Sequence, residues 1–246
     1  MMLISGFISV PGSAAERSDS VMLQQASRGG ETVLMACVCD EKRGDGRDWQ
    51  PYAVARLQGW YREAAMELGL AGCSDVRMEK ELGTCLRNMD AEREDCGEVS
   101  KVGRDMSLTG ILVCGARFWL FHRGNTRAYL MNQYFMHPHI RCLTCAEHSA
   151  AVKDKQRNGG KEDGRMPDVR SGILQKGTGI LLCTDGLYGF AAENRMKECL
   201  CPRDISREQQ IGKRLGELEQ EARRRGCADH ISAVYIKVQE GLYGGK

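Results

Sequence analysis

Three aspartates stand where apolar, strand-like runs of the sequence end or begin. Asp40 closes the run TVLMACVCD, Asp185 follows ILLCT and precedes Gly186, and Asp229 lies just before the β-rich run ISAVYIKV, with His230 between them. A charge beside an apolar strand needs a partner, although an Asx-type turn is an alternative explanation for Asp185. Three such residues predict one carboxylate cluster at the edge of a sheet core. Clustered carboxylates repel unless a cation neutralises them, and oxygen ligands suit Mg²⁺ or Mn²⁺.

The elements that must position these aspartates are predicted to be strands and amphipathic helices. Apolar runs predict strands over residues 2–10, 32–39 and 108–131, the last as a β-meander. Apolar residues at helical spacing predict helices over 51–68 and 76–91. Gly186 predicts a turn with backbone angles that a side chain would forbid. The whole pattern is typical of the α+β class.

A further helix is predicted near the C-terminus. Ser206 and Gln209 have the spacing of a capping box, and Gly226 marks the end of the helix. One face carries the apolar residues Ile211, Leu215, Leu218 and Ala222. Three consecutive arginines, 223–225, either complement the negative end of the helix dipole or bind phosphate or an acidic partner.

Composition limits the possible functions. With 246 residues the chain fits a single domain, and a net charge of +2 predicts no nucleic-acid partner. Apolar runs are too short to cross a bilayer, and the N-terminus has the pattern of a strand rather than of a signal peptide. Most of the twelve cysteines lie in apolar strands, which indicates free thiols in a reducing cytoplasm. Cys142 and Cys145, with His137, His139 and His148 nearby, leave a zinc site as an alternative.

Four stretches occur in an order that resembles a known family. They are RGNTRAYLM (123–131), LTCAEHSA (143–150), CTDGLYG (183–189) and GCADHISAVYIKV (226–238). Together they resemble the metal-dependent serine/threonine protein phosphatases of the PPM, or phosphatase 2C, type in their compact bacterial form. The resemblance implies one PPM-type domain over residues 1–246. Its implied fold is a four-layer α-β-β-α sandwich of two antiparallel sheets flanked by helices.

The resemblance also implies a reaction and a set of metal ligands. Two Mn²⁺ or Mg²⁺ ions would be bridged by Asp40. Asp185 and Asp229 would complete the first site, while Asp19 and the backbone carbonyl of Glu41 would support the second. The implied activity is hydrolysis of phosphoserine and phosphothreonine in proteins by a metal-activated water. Phosphoproteins and a cognate serine/threonine kinase are the implied partners of a cytoplasmic, monomeric signalling enzyme that contacts neither nucleic acid nor membrane.

Several positions depart from the family pattern around the second metal and the substrate phosphate. Ser18 stands where the first residue of an acidic pair is expected, and Ala14 replaces a phosphate-binding arginine. Arg17 is close to that position and is the candidate phosphate ligand, with a solvated loop charge as the alternative. Glu41 replaces a glycine, so its extra carboxyl either fits beside the metals or becomes a ligand. Lys42 occupies the position of a histidine that some members use as a general acid.

Two further departures lie elsewhere in the chain. Asn125 replaces an aspartate that binds a third metal in bacterial relatives, and a neutral amide is a weaker ligand for a hard cation. Residues 150–170 form a short, polar, glycine-rich loop in place of a longer flap beside the active site. The alternative function is therefore a catalytically weak or inactive pseudophosphatase that binds a phosphoprotein or another partner.

Overall fold

The computed structural model describes residues 1–13, 19–28, 30–41, 49–67, 73–95, 106–134, 137–145 and 168–239. The helices among these residues are α1 (Trp49–Glu67), α2 (Asp75–Asp95), α3 (Asp185–Tyr188), α4 (Glu193–Cys199) and α5 (Glu208–Arg224), with a 3₁₀ helix at Pro202–Asp204. The strands are β1 (Leu3–Val10), β2 (Ser20–Arg28), β3 (Glu31–Glu41), β4 (Met106–Cys114), β5 (Arg117–Arg123), β6 (Arg127–Tyr134), β7 (His137–Cys142), β8 (Asp168–Ile173), β9 (Gly179–Cys183) and β10 (Ile231–Val238).

The strands form two antiparallel five-stranded sheets. The first sheet has the order β1-β10-β9-β6-β7 and the second has the order β2-β3-β4-β5-β8. The inner faces of both sheets share one apolar core, in which Leu34, Val38 and Ile111 of the second sheet meet Leu182 and Val234 of the first. The interior strands β4, β9 and β10 are buried along their whole length, which explains their nearly continuous apolar sequences.

Helices cover the outer face of each sheet. Helices α1 and α2 bury an apolar stripe against the second sheet, and Tyr61 on α1 donates a hydrogen bond to the carbonyl of Val33 at 3.0 Å. Helices α3, α4 and α5 cover the first sheet. The residues of α5 that are buried there are Ile211, Leu215, Leu218 and Ala222, as the spacing predicts. The predicted four-layer α-β-β-α sandwich is therefore confirmed.

The structure corrects three local predictions. Residues 108–131 do not form one meander, because β6 leaves the second sheet and pairs with β7 and β9 of the first. The predicted loop over residues 150–170 overlaps strand β8, which begins at Asp168 and pairs with β5, and residues 146–167 lie outside the described residues. The capping glutamine of α5 is Gln210 rather than Gln209, since its side chain accepts hydrogen bonds from the backbone nitrogens of Ser206 and Arg207.

Candidate active site

Two of the predicted ligands belong to neighbouring strands of the second sheet. Asp19 directly precedes β2, whose first residue, Ser20, pairs with Cys39 on β3. Asp40 follows Cys39 and pairs with Ser107 on β4. Continued by one residue, the antiparallel register sets Asp19 and Asp40 opposite each other. The β2–β3 pair therefore brings these two carboxylates to the same end of the sheet.

The other two predicted ligands lie at the adjoining end of the first sheet. Asp185 begins α3 two residues after the end of β9, and Asp229 lies two residues before the start of β10. Gly186 is essential to this arrangement, because a Cβ placed on it would lie 2.0 Å from the carbonyl oxygen of His230. Gly186 is not among the glycines with positive φ, so the expectation of unusual backbone angles is wrong. Its lack of a side chain instead lets the Asp185 turn approach the chain that carries Asp229.

Thr184 connects the two sheets at this site. Its hydroxyl donates a hydrogen bond to Oδ2 of Asp19 at 2.9 Å and accepts one from the backbone nitrogen of Ser232 at 3.1 Å. Its own backbone nitrogen donates to the Ser232 carbonyl at 3.0 Å. Thr184 is fully buried, so the hydroxyl has little freedom to turn toward solvent. The first sheet therefore holds the carboxylate that precedes β2 of the second sheet.

Asn125 makes a second connection, on the other side of Asp185. Its side-chain nitrogen donates to Oδ2 of Asp185 at 2.8 Å, and its backbone nitrogen donates to the Ser107 hydroxyl at 3.0 Å. The Tyr188 hydroxyl donates to the Asn125 carbonyl at 2.7 Å. The side-chain oxygen of Asn125 is buried and has no hydrogen-bond partner within the described residues. A buried amide oxygen without a donor is costly, and a donor or a cation would satisfy it.

The electrostatics of the site centre on Asp19. Burial raises the pKa of its carboxyl above the usual value, while hydrogen bonds from Thr184 and Ser232 and the nearby His230 lower the pKa by less. The Asp229 carboxylate contributes a small further increase in this pKa, which indicates that the two acids are close enough to interact. Asp19, Asp40 and Asp185 are half-buried, and Asp229 is exposed.

Arg223 at the end of α5 fixes the segment that carries Asp229. Its guanidinium donates to the carbonyls of Asp229 at 2.7 Å, Cys227 at 3.0 Å and Pro11 at 2.8 Å. Its Nε pairs with Glu219 at 3.2 Å. Arg223 lies in the last turn of α5, where a cation complements the helix dipole, and its guanidinium also joins the end of β1 to the approach to β10.

The remaining predicted site residues are only partly described. Glu41 is the last residue of β3, where its backbone pairs with Met106. The candidate phosphate ligand Arg17, together with Ala14, Ser18 and Lys42, lies outside the described residues. The second-metal and phosphate-binding assignments at these positions therefore stay predictions.

The cysteine predictions have a mixed outcome. Cys142 and Cys145 form a disulfide, so the expectation of free thiols is wrong for this pair. The other nine cysteines in the described part of the chain are free. A zinc site is not supported there, because no cluster of His, Cys, Asp and Glu within the described ranges is arranged to hold a metal. His148 of the proposed zinc ligands lies outside those ranges.

The donor set at the candidate site fits a hard divalent cation. Its carboxylates, the backbone carbonyl of Glu41 and the unsatisfied amide oxygen of Asn125 provide oxygen atoms only, as Mg²⁺ and Mn²⁺ prefer. Within the described ranges, however, three acidic, His or Cys side chains are not gathered closely enough to form a ready coordination shell. A cation would have to draw Asp185 and its neighbours together, in competition with the hydrogen bond from Asn125.

Solved structures share this architecture over nearly the whole chain. The Mycobacterium tuberculosis serine/threonine phosphatase PstP/Ppp superimposes with a TM-score of 0.66 and 19% identity, covering 98% of this chain and 100% of that one. The Staphylococcus aureus serine/threonine phosphatase Stp1 gives a TM-score of 0.68 and 17% identity, covering 98% and 96%. This chain has the fold of the bacterial serine/threonine phosphatases. The predicted resemblance is thus confirmed at the level of the fold.

One similar structure contains metals. The catalytic domain of PstP in complex with two manganese ions matches with a TM-score of 0.64 and 18% identity, covering 97% of this chain and 100% of that one. No family model matches the sequence, and no curated protein sequence matches it. The fold is therefore shared with these phosphatases at sequence identities of 17% to 19%.

Sequence reasoning missed the residues that hold the predicted ligands in place. They are Ser107, Thr184, Tyr188, Arg223 and Ser232. Thr184 and Tyr188 belong to the stretch CTDGLYG, so a hydroxyl beside Asp185 was a visible signal. Ser107 gave no such signal, and the arginine cluster did not indicate what Arg223 contacts, because both roles depend on contacts between distant elements.

Proposed function

We propose that this chain is a divergent PPM-type phosphatase that hydrolyses phosphoserine and phosphothreonine in proteins. The observation that supports this function best is the meeting of both sheets at one acidic end, where Thr184 hydrogen-bonds Asp19 and Asn125 hydrogen-bonds Asp185. The end of a β-sandwich that gathers acidic side chains from both sheets is suited to metal-assisted hydrolysis. We treat residues 1–246 as one catalytic domain.

The proposed metal ligands are carboxylates and one backbone carbonyl. Asp19, Asp40, Asp185 and Asp229, together with the Glu41 carbonyl, would hold two Mn²⁺ or Mg²⁺ ions. When bound, these ions would acidify water and stabilise the negative charge that develops on the phosphoryl group.

The chain itself orients these ligands before any substrate binds. Thr184 holds Oδ2 of Asp19, and the buried threonine is in turn fixed by Ser232 on β10. Arg223 holds the backbone of Asp229 through its carbonyl, so the exposed carboxylate starts from a defined position. Such positioning reduces the entropy lost when ligands are gathered around a cation.

The substrates and the cellular setting are also proposals. PstP and Stp1 are serine/threonine phosphatases, which supports phosphoproteins as substrates and a serine/threonine kinase as the enzyme that supplies them. We place the protein in the cytoplasm as a monomer that binds neither nucleic acid nor membrane. Nine free thiols among the described residues support a reducing compartment. None of the described helices is long and apolar enough to span a bilayer.

The deciding experiment is release of phosphate from a phosphothreonine peptide with and without Mn²⁺. We expect turnover that requires Mn²⁺ and is lost in Asp185→Asn, because a neutral amide in this position weakens the ligand set. Asp204→Asn is the matched control, since Asp204 lies in an exposed ion pair with Arg203. Wild-type protein that binds Mn²⁺ in calorimetry but releases no phosphate would refute the enzymatic function.

A pseudophosphatase is the second candidate, and one observation favours it. Asn125 donates its amide to Asp185, where the family pattern has another carboxylate, so a protein hydrogen bond occupies part of the site without a metal. A phosphoprotein-binding module of this kind would bind a phosphothreonine peptide without releasing phosphate. Fluorescence anisotropy on the labelled peptide, measured beside the turnover assay, separates the two functions.

A further inference from the structure

A large cavity opens at the end of the first sheet that is remote from the acidic site. Its volume is about 870 Å³, and Met2, Gly177 and Gln239 lie at its edge. Gln239 donates its backbone nitrogen to the Met2 carbonyl at 2.9 Å, just beyond the C-terminal end of β10. Asp229 lies before the opposite end of that strand, and eight extended residues span roughly 25 Å. The cavity is therefore separate from the proposed active site.

The lining of this cavity is strongly basic. Lys176, Arg203, Arg207 and Lys237 all contribute to it, and no carboxylate occurs among the described residues that line it. Arg203 pairs with Asp204 at 3.4 Å, but both side chains are largely exposed, and pairs of this kind contribute little. Four cations around one concavity produce a positive potential that concentrates anions.

The floor of the cavity is already hydrogen-bonded within the protein. Lys237, which is only 8% exposed, donates from its ammonium to the carbonyl of Ile205. The side-chain amide of Gln239 donates to the carbonyl of Ser206 at 2.9 Å. The backbone carbonyls of Ile205 and Ser206, which would otherwise repel an anion, therefore already accept hydrogen bonds. The hydrogen bond to Ile205 also holds the buried Lys237 ammonium in place at the floor of the cavity.

The start of α5 adds to the positive potential. Ser206 and Arg207 line the cavity, and the 17-residue helix begins at the next residue, Glu208. The N-terminal end of a helix carries a partial positive charge, which favours an anion nearby. Gln133, Ser206 and Gln239 contribute neutral polar residues to the lining.

We propose that this cavity binds a small molecule that carries a chain of two or more phosphoryl groups. Its volume lies within the range of about 300–1,000 Å³ that is typical of small-molecule sites. Two guanidinium groups offer the planar forks that match phosphate oxygens, and two ammonium groups add point charges. A chain of phosphoryl groups carries more negative charge than a single orthophosphate and therefore complements four cations better.

The test is isothermal titration calorimetry of the full chain in chelator-treated, metal-free buffer. The probes are inorganic tripolyphosphate, adenosine triphosphate, orthophosphate and adenosine. We expect both polyphosphates to bind, orthophosphate to bind at least about tenfold more weakly and adenosine not to bind. Tighter binding of adenosine triphosphate than of tripolyphosphate identifies a nucleotide site, and equal binding identifies a site for the phosphate chain; both results support the proposal.

Variants locate the binding within the cavity. Lys176→Gln and Arg203→Gln should each weaken tripolyphosphate binding about tenfold, because each removes one charge-assisted contact. Arg62→Gln is the matched control, since Arg62 is an exposed cation on α1, and it should leave the affinity unchanged. Both cavity residues are exposed, and an unchanged melting temperature will show that the variants remain folded.

Several results would overturn the proposal. They are the absence of tripolyphosphate binding, equal affinity for orthophosphate, and full affinity in both cavity variants. Tighter binding of an acidic phosphopeptide than of tripolyphosphate at these residues would replace the small-molecule site with a protein-docking site. Asp185→Asn should bind tripolyphosphate normally. A failed phosphatase assay therefore leaves this inference standing, and a failed titration leaves the proposed phosphatase function standing.

Discussion

Replacing Arg223 should destabilise the acidic end of the sandwich without removing any of its carboxylates. Arg223 touches none of the four carboxylates through its side chain in the described structure, yet its guanidinium donates to the backbone carbonyls of Asp229, Cys227 and Pro11. Arg223→Ala removes all of these donors together. The segment before β10 and the end of β1 then lose the group that holds them to each other.

The size of the effect follows from the contacts. The three hydrogen bonds have lengths of 2.7, 3.0 and 2.8 Å, and the arginine side chain is 26% exposed. A hydrogen bond in this setting contributes about 1 kcal/mol net, so Arg223→Ala should cost about 3 kcal/mol of unfolding free energy. For a chain of this length that loss lowers the melting temperature by about 6–12 °C. Arg223→Lys should lose roughly half as much, because an ammonium does not reproduce the planar fork.

Differential scanning calorimetry measures the predicted decrease in melting temperature directly. Arg224→Ala is the matched control, because Arg224 is the next residue, carries the same charge and is exposed. Mn²⁺ titration of Arg223→Ala at a temperature where it is fully folded should also show weaker binding than in Arg224→Ala, since Asp229 has lost its support. Equal melting temperatures for the two alanine variants would refute the positioning role of Arg223.

Three further predictions address the site and its surroundings. Gly186→Ala should lower the free energy of unfolding by about 1–3 kcal/mol in urea, because the added Cβ would lie 2.0 Å from the His230 carbonyl oxygen. Gly216→Ala on α5 is the control, since its Cβ would enter open space and should not destabilise the protein. Asn125→Asp should bind Mn²⁺ more tightly in calorimetry but melt lower without metal, because a second carboxylate would face Asp185; unchanged affinity would contradict this. Burial lowers the pKa of His122 from 6.5 to about 4, so protonation favours the unfolded chain. Its stabilising contribution is nearly complete above pH 6.5 and falls by about 3 kcal/mol toward pH 4 in urea titrations, a loss that His122→Gln should reduce.

Much of the fold could be predicted from local patterns. The buried face of α5, the helix α1 and the stop at Gly226 follow from residue spacing and glycine chemistry, which act over a few neighbouring residues. The placement of β6 could not be predicted in this way. The sequence between β5 and β6 favours a hairpin, but β6 pairs with β9, which lies more than 40 residues away in the chain. Strand pairing is decided by burial of both faces, which local periodicity does not report.

The candidate site shows the same division. The sequence by itself determined which chain segments carry acidic residues at strand ends, because an apolar run beside an aspartate is visible without any partner. Only the tertiary structure decided what those carboxylates contact. Thr184 reaches Asp19 across 165 positions, and Asn125 reaches Asp185 across 60. Hydrogen bonds depend on distance and direction between side chains from different elements, and these are set only when the two sheets pack together.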